Sequence, residues 1–171
     1  MSISVYNRFV SVLTVVAMVA VIALAVPAVR RRVRESDATG VIAWLVVIVA
    51  AASTAGSLIY SEAYGLEPCR LCWYQRIAMY PLVLTGAIAA FRVDLVAVRR
   101  YILPPAVVGA LVAAYHYIIQ LYPSAETGAC SAGVPCSARY VEEFGFVSIP
   151  FMALTGFALI VALIASAQEA R

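Results

Sequence analysis

Five apolar stretches, each close to twenty residues long, dominate this chain of 171 residues. A transmembrane α-helix needs about 20 consecutive apolar residues, and it satisfies its own backbone hydrogen bonds within the bilayer. The stretches therefore predict an all-α integral membrane protein with five spans. They cover residues 9–29, 41–60, 72–91, 101–121 and 146–167.

The composition excludes an ordinary soluble domain. Hydrophobic residues make up 64% of the chain and charged residues 12%, whereas soluble domains have about 45–50% apolar and about 25% charged residues. All twelve basic residues are arginines, and most lie near the ends of the apolar stretches. We interpret them as determinants of membrane topology, and we expect no nucleic-acid partner.

The arginines predict the orientation of the chain, because cytoplasmic loops of membrane proteins are enriched in basic residues. This rule places the N-terminus and the segments 61–70 and 122–145 outside, and it places the C-terminus in the cytoplasm. The arginines that mark the cytoplasmic side are Arg30, Arg31, Arg32, Arg34, Arg92, Arg99, Arg100 and Arg171.

The first stretch has an alternative interpretation as a cleaved signal peptide, with Ala23 and Ala25 as small residues near a cleavage site. Its apolar run is longer than the usual signal core of about 7–15 residues. Cleavage would also force the following arginines across the membrane. We therefore predict an uncleaved helix and an Arg-rich turn in residues 1–38, followed by a four-helix domain in residues 39–171.

All four cysteines fall in or beside the two predicted external segments. These segments are separated by two crossings, so they share one side of the membrane, where paired cysteines commonly form disulfides. Four cysteines allow three pairings. The short-range pairs Cys69–Cys72 and Cys130–Cys136 need the least rearrangement of the chain.

The Cys-x-x-Cys spacing of Cys69 and Cys72 indicates redox chemistry. At a helix N-terminus, and beside Arg70, a thiolate is stabilised by backbone amides and by positive charge. A bridge within this spacing closes so short a loop that it adds little stability by the loop-entropy account. A zinc site of four cysteines and a pair of inert structural disulfides are the alternatives.

Two further polar residues lie within the predicted spans. Arg76 falls on the same helix face as Cys69 and Cys72, just inside the bilayer boundary, where it either serves a ligand or anchors lipid headgroups. His116 is the only histidine, and Gln120 follows it one turn later. A packing role is the alternative for His116. Together these side chains form a candidate site for a quinone carbonyl.

The ordered set of motifs resembles the DsbB family of membrane disulfide-bond formation proteins, in particular its BdbC-like branch with short loops. The resemblance covers roughly residues 40–165 and is far more specific than the cysteine spacing alone. Its elements are Pro68-Cys69-Arg-Leu-Cys72-Trp-Tyr-Gln75-Arg76, His116, Gln120-Leu-Tyr-Pro123, Cys130, Cys136 and residues 143–150.

This resemblance implies a thiol:quinone oxidoreductase of the bacterial cytoplasmic membrane, built on a four-helix core. Such an enzyme reoxidises an extracytoplasmic thioredoxin-like thiol oxidase, similar to DsbA or BdbD, and passes the electrons to menaquinone or ubiquinone. It thereby supports disulfide formation in exported proteins, and it needs no metal.

The resemblance also implies a role for each site residue. Cys72 faces the quinone, and Cys69 exchanges with the loop pair. Arg76 and His116 are the quinone-binding candidates. In the second pair, Cys130 forms the mixed disulfide with the partner and Cys136 exchanges internally.

Two features depart from the best-known members of that family. One is the additional N-terminal span, and the other is the short separation of Cys130 and Cys136. Two other functions stay open at the level of sequence. They are a quinone-linked thiol enzyme similar to vitamin K epoxide reductase, and a non-catalytic membrane interaction protein held by two disulfides.

Overall fold

A computed structural model describes residues 2–36, 38–126, 128, 130 and 134–167. Within these ranges the fold is all-α. A π-type turn, Ile59–Ala63, extends the third helix, and another, Val98–Ile102, joins the fifth helix to the sixth. The helices are α1 Ile3–Ala25, α2 Pro27–Glu35, α3 Thr39–Leu58, α4 Arg70–Arg92, α5 Leu95–Ala97, α6 Leu103–Leu121 and α7 Ile149–Ser166.

Four helical segments of the described chain are long and apolar enough to cross a membrane, so the chain is a multi-pass membrane protein. They are Ile3–Ala25, Thr39–Ala63, Leu95–Leu121 and Ile149–Ser166. The prediction of five spans is thus confirmed for four helices. The remaining helix, α4, has 23 residues, as α1 does, but its arginines and Gln75 make it more polar. Its crossing of the membrane stays a prediction.

Four long helices form a ring in which each packs against two neighbours, in the order α3, α4, α6, α7 and back to α3. Wholly buried apolar side chains, among them Val46, Ile160 and Phe157, fill its centre. Gly109 on α6 leaves the space that the Phe157 ring occupies. Helix α1 lies outside this ring and packs against α7.

The first helix ends earlier than the apolar pattern predicts. It stops at Ala25 and not near residue 29, because Pro27 starts a separate helix, α2. Proline has no N–H to give to a preceding carbonyl, so it suits the first turn of a new helix. The arginine cluster therefore lies on α2, a short helix of its own.

Arginines from two separate segments meet the carboxyl end of α7. Arg34 Nη2 donates to the Ala165 carbonyl at 2.8 Å, and Arg99 Nη2 donates to the Ala167 carbonyl at 2.9 Å. We call this the arginine end of the bundle. Arg171, the last of the predicted topology markers, lies outside the described residues.

The opposite end of the bundle carries the cysteines. Between Cys136 and α7 the chain forms turns and no helix, and a single bridge pairs Glu143 with Val147. Val141 from this segment is buried against Tyr60 and Tyr6. The segment after the second cysteine pair therefore folds back onto the helix ends, which keeps Cys136 close to the start of α4.

Candidate functional site

The first cysteine pair occupies the N-terminus of α4. Cys69 is the N-cap residue, and its sulfur accepts a hydrogen bond from the backbone N–H of Cys72 at 3.4 Å. This confirms that the pair lies at a helix N-terminus. Cys69 and Cys72 are free thiols in this structure, with their sulfurs 2.9 Å apart. Their pairing as a disulfide stays a prediction, and the geometry leaves only a short movement to form it.

Cys69 is held in surroundings that favour its thiolate. The Cys72 sulfur, 2.9 Å away, donates its S–H when Cys69 is ionised, and His116 Nε2 lies 3.6 Å from the Cys69 sulfur. These contacts, in that order of importance, hold the pKa of the Cys69 thiol well below its usual range, although burial opposes them. A thiol with a low pKa is both an ionised nucleophile near neutral pH and a good leaving group in disulfide exchange.

His116 joins the two cysteine pairs. It is 2% exposed on α6, and its Nε2 lies 3.0 Å from the backbone carbonyl oxygen of Cys136. On the other side of the ring, the Gln75 amide nitrogen lies 3.0 Å from Nδ1. An amide nitrogen only donates, so Nδ1 accepts and the ring proton belongs to Nε2. That N–H is therefore directed at Cys136 and Cys69.

The second cysteine pair is adjacent to the first. The structure contains a Cys130–Cys136 disulfide, and Cys136 has no exposed surface. The sulfurs of Cys69 and Cys136 and a ring nitrogen of His116 all lie within 4.8 Å of one another. Cys69, Cys130 and Cys136 also share one buried apolar cluster with Ile119. The two pairs are thus neighbours, with Cys69 and Cys136 at their contact.

Three possible metal ligands converge at this contact, but they are not the four cysteines of the zinc alternative. The group consists of Cys69, His116 and Cys136, and the Cys136 sulfur is already bonded to Cys130. Cysteine binds zinc as a thiolate, and a sulfur in a disulfide is not one. The arrangement fits disulfide exchange better than metal coordination.

Cys72 faces a different space, a cavity of about 470 Å³ that it shares with Arg76 and Gln75. The guanidinium of Arg76 donates to Ser57 Oγ at 3.0 Å and to the Ser57 carbonyl at 3.1 Å, and it stacks over Trp73. Binding cavities for small molecules span about 300–1,000 Å³, with few polar groups among apolar walls. This cavity has that size and character, with a fixed cation beside a thiol.

The structure separates the predicted site residues into two groups. Arg76 lines the large cavity, Cys69 and His116 line a small pocket with Gln120, and Cys72 borders both spaces. His116 is not among the residues that line the cavity, so its predicted quinone contact has no support from this geometry. His116 instead lies between the two cysteine pairs.

Sequence reasoning gave no role to two residues that organise the site. Gln75 lies in the recognised motif and fixes the tautomer of His116, a function that its neighbours in sequence do not reveal. Ser57 on α3 holds Arg76 and also accepts a hydrogen bond from Tyr80. No sequence signal distinguishes Ser57 from the other small residues of α3, because its role depends on packing between helices.

Fold and site together define a multi-pass membrane protein with two adjoining cysteine pairs, one of which reaches a cavity of the helical bundle through Cys72. A protein-family model described as "Disulfide bond formation protein DsbB" matches residues 37–167, so the chain belongs to the DsbB family. This membership implies thiol oxidoreductase activity. It favours the DsbB-like interpretation over an enzyme similar to vitamin K epoxide reductase.

Two relatives that the chain matches are named as disulfide formation proteins. It is 47% identical over 119 residues to Disulfide bond formation protein C of Bacillus subtilis (strain 168), which covers 69% of this chain and 83% of the relative. It is 46% identical over 124 residues to a Probable disulfide formation protein of Oceanobacillus iheyensis, which covers 70% of this chain and 83% of the relative. No solved structure matches the chain.

Proposed function

We propose that this protein is a membrane thiol:quinone oxidoreductase that reoxidises an extracytoplasmic thioredoxin-like thiol oxidase. The observation that carries this proposal is the position of the first cysteine pair between two sites. Cys69 lies within 4.8 Å of Cys136, and Cys72, only 2.9 Å from Cys69, lines the cavity beside Arg76. Electrons entering at the loop pair have a continuous route to that cavity.

The first step is an attack by the partner's thiolate on the loop disulfide. Cys136 is wholly buried against Cys69, and Cys130 retains a small exposed surface. Attack therefore falls on the Cys130 sulfur and releases the Cys136 thiolate. The partner's second thiolate then attacks the mixed disulfide at the partner's own sulfur. The partner leaves oxidised, and Cys130 leaves as a thiolate.

The second step passes the electron pair to the first cysteine pair. The Cys136 thiolate attacks the Cys69 sulfur of an oxidised Cys69–Cys72 bridge and releases the Cys72 thiolate. Cys130 then attacks Cys136, which restores the loop disulfide and releases Cys69. The low pKa of Cys69 makes it a good leaving group in that exchange. The N–H of His116 is placed to stabilise the departing sulfur.

The third step returns the first pair to a disulfide. Cys69 and Cys72 close to a disulfide and give up two electrons and the two thiol protons, and a quinone held in the cavity would be the acceptor that takes them up as hydroquinone. Cys72 presents its sulfur to that space, and the guanidinium of Arg76 favours negative charge there. Ser57 fixes the guanidinium from α3, so its charge is oriented before a ligand binds. The residues therefore fit a quinone by chemistry and by cavity size.

The proposed topology has five spans, which are the four apolar helical segments and α4. It places the N-terminus and both cysteine pairs outside. Two observations support it. The arginine end and the cysteine end lie at opposite ends of the bundle, and Arg34 and Arg99 approach the same terminus of α7. The proposed division of the chain, an N-terminal helix in residues 1–38 and a redox domain in 39–171, agrees with a family match that begins at residue 37.

Reconstituted protein with a quinone and a reduced thioredoxin-like partner tests the proposal. We expect stoichiometric formation of partner disulfide and hydroquinone. Cys72→Ser should abolish quinone reduction, and Cys130→Ser should abolish partner oxidation while chemically reduced Cys69 and Cys72 still reduce quinone. Ser137→Ala, which alters a hydroxyl next to the loop disulfide but no sulfur, is the matched control. Quinone-dependent turnover in Cys72→Ser would refute the relay.

A further inference from the structure

Helix α1 contributes one wall of the cavity that Cys72 faces, although it precedes the family match at residues 37–167. Its lining residues recur at intervals of three and four, which places them on one face of the helix. They are Tyr6, Phe9, Val10, Leu13, Thr14 and Ala17. The additional helix is therefore part of the site's walls and not a separate anchor.

Specific polar contacts hold α1 in this position. The Tyr6 hydroxyl donates to the Gly56 carbonyl at 3.3 Å, and the Tyr60 hydroxyl donates to Asn7 Oδ1 at 3.1 Å. The rings of Tyr6 and Tyr60 also pack edge to face, 5.0 Å apart. These contacts lie at the cysteine end of the helix. They fix the wall at the level of the reactive groups.

The cavity changes character along α1. At the cysteine end it is bounded by Cys72, Gln75 and Arg76. The distance from Tyr6 to Ala17 along the helix is about 16 Å at a rise of 1.5 Å per residue. Deeper along the helix, the lining includes Leu13 and Ala17. One end of the cavity suits a polar ring, and the other suits an apolar chain.

The apolar part of the wall is also open to the side. Phe9 is 58% exposed and Leu13 is 50% exposed, although both line the cavity. In a membrane this exposure faces lipid. A ring without a tail would leave this apolar stretch, about 12 Å from Phe9 to Ala17, empty, whereas the apolar chain of a quinone would occupy it.

We propose that the α1 face from Phe9 to Ala17, which lies outside the family match, is the wall that holds the apolar chain of the quinone. The occupant follows from the continuity of this wall with the Cys72 and Arg76 end of the cavity. The inference rests on the proposed function, because it assigns α1 a part in binding the same quinone.

Equilibrium binding of two probes tests this inference on the full-length protein. The probes are a naphthoquinone without a tail and the same ring with a long alkyl chain, and the readout is quenching of intrinsic tryptophan fluorescence. Ala17→Phe places a ring in the apolar part of the cavity. We expect its Kd for the tailed probe to rise about tenfold, the effect of losing contact with about two methylene groups. Its Kd for the tail-less probe should stay within twofold.

Two further variants keep the test independent of folding. Leu13→Ala shortens the wall without adding bulk, and it should weaken the tailed probe alone. Val16→Phe, the matched control, adds the same ring as Ala17→Phe on a face that is 61% exposed and does not line the cavity. It should change neither Kd.

The possible outcomes separate this inference from the proposed function. If Ala17→Phe weakens both probes equally, or neither, α1 does not bind the tail and a membrane lipid is the better occupant. That result leaves the relay intact, provided the unaltered protein still reduces quinone. If the unaltered protein binds the tailed probe but does not reduce it, the proposed electron relay is wrong. The assignment of α1 as the wall that binds the tail is then unaffected.

Discussion

Replacement of His116 tests whether this residue serves the cysteine pairs or the quinone. The sequence resemblance predicts a quinone contact, whereas the structure places Nε2 3.0 Å from the Cys136 carbonyl and 3.6 Å from the Cys69 sulfur. His116→Phe keeps a ring of similar size and removes both nitrogens. The variant therefore removes the donor at the contact between the two cysteine pairs.

The size of the effect follows from the contacts that are lost. A hydrogen bond to a charged group contributes about 1.5–3 kcal/mol, and each 1.36 kcal/mol in a barrier changes a rate about tenfold. Loss of the Nε2–H donor to the departing Cys69 thiolate should thus slow exchange between the pairs by about 10–150-fold. The buried amide of Gln75 also loses its acceptor, which should cost about 1–3 kcal/mol of stability.

Two single-turnover assays separate the two steps. Exchange between the pairs is followed without quinone, by mixing reduced partner with the fully oxidised protein, quenching with acid, alkylating the thiols and locating the alkylated cysteines by peptide mass. Quinone reduction is followed in Cys130→Ser protein whose Cys69 and Cys72 were reduced beforehand. His116→Phe should slow the first reaction at least ten times more than the second. His116→Gln, which restores a donor near the Nε2 position, should recover much of the rate.

The opposite pattern would refute this reasoning. If His116→Phe slows quinone reduction and leaves exchange between the pairs unchanged, the ring acts on the quinone side, as the resemblance implies. Thermal unfolding of both variants controls for the lost stability, because His116→Phe and His116→Gln should fold at the assay temperature before any rate is compared.

Two further predictions concern packing and pH. Gly109→Ala would place a Cβ within 2.8 Å of three ring atoms of the wholly buried Phe157. Thermal denaturation should therefore show a loss of about 1–3 kcal/mol in the free energy of unfolding. The control Gly40→Ala, whose Cβ would lie 4.0 Å from Val93, should show no such loss. The pKa of Cys69 is depressed, so its thiolate should persist in reduced protein as pH falls below the usual thiol range, and the associated stability should be lost only as pH falls through the lowered pKa. Ultraviolet absorbance of the thiolate, with Cys69→Ser as the blank, measures this; a titration near pH 8.5 would contradict it.

The membrane class, most helix positions and the site's cysteines were predictable from the sequence, because each leaves a local signal. Apolar runs of about twenty residues are required by bilayer thickness, and the Cys-x-x-Cys spacing places Cys69 and Cys72 one turn apart at a helix start. The boundaries were less accurate where proline intervened. Pro27 divides the predicted first span from α2, which moves the end of α1 to Ala25.

The order of residues along the chain specifies the chemistry that is available: two cysteine pairs, a cation one turn below the first pair, and helices that place them at a membrane. Which of these groups meet depends on how the helices pack. His116 lies beside Cys69 and Cys136 because α6 packs against α4 and the loop folds back onto both. Such contacts join residues far apart in the chain, so no local pattern specifies them. For the same reason, α1 lines the cavity that Cys72 faces, 55 positions beyond Ala17.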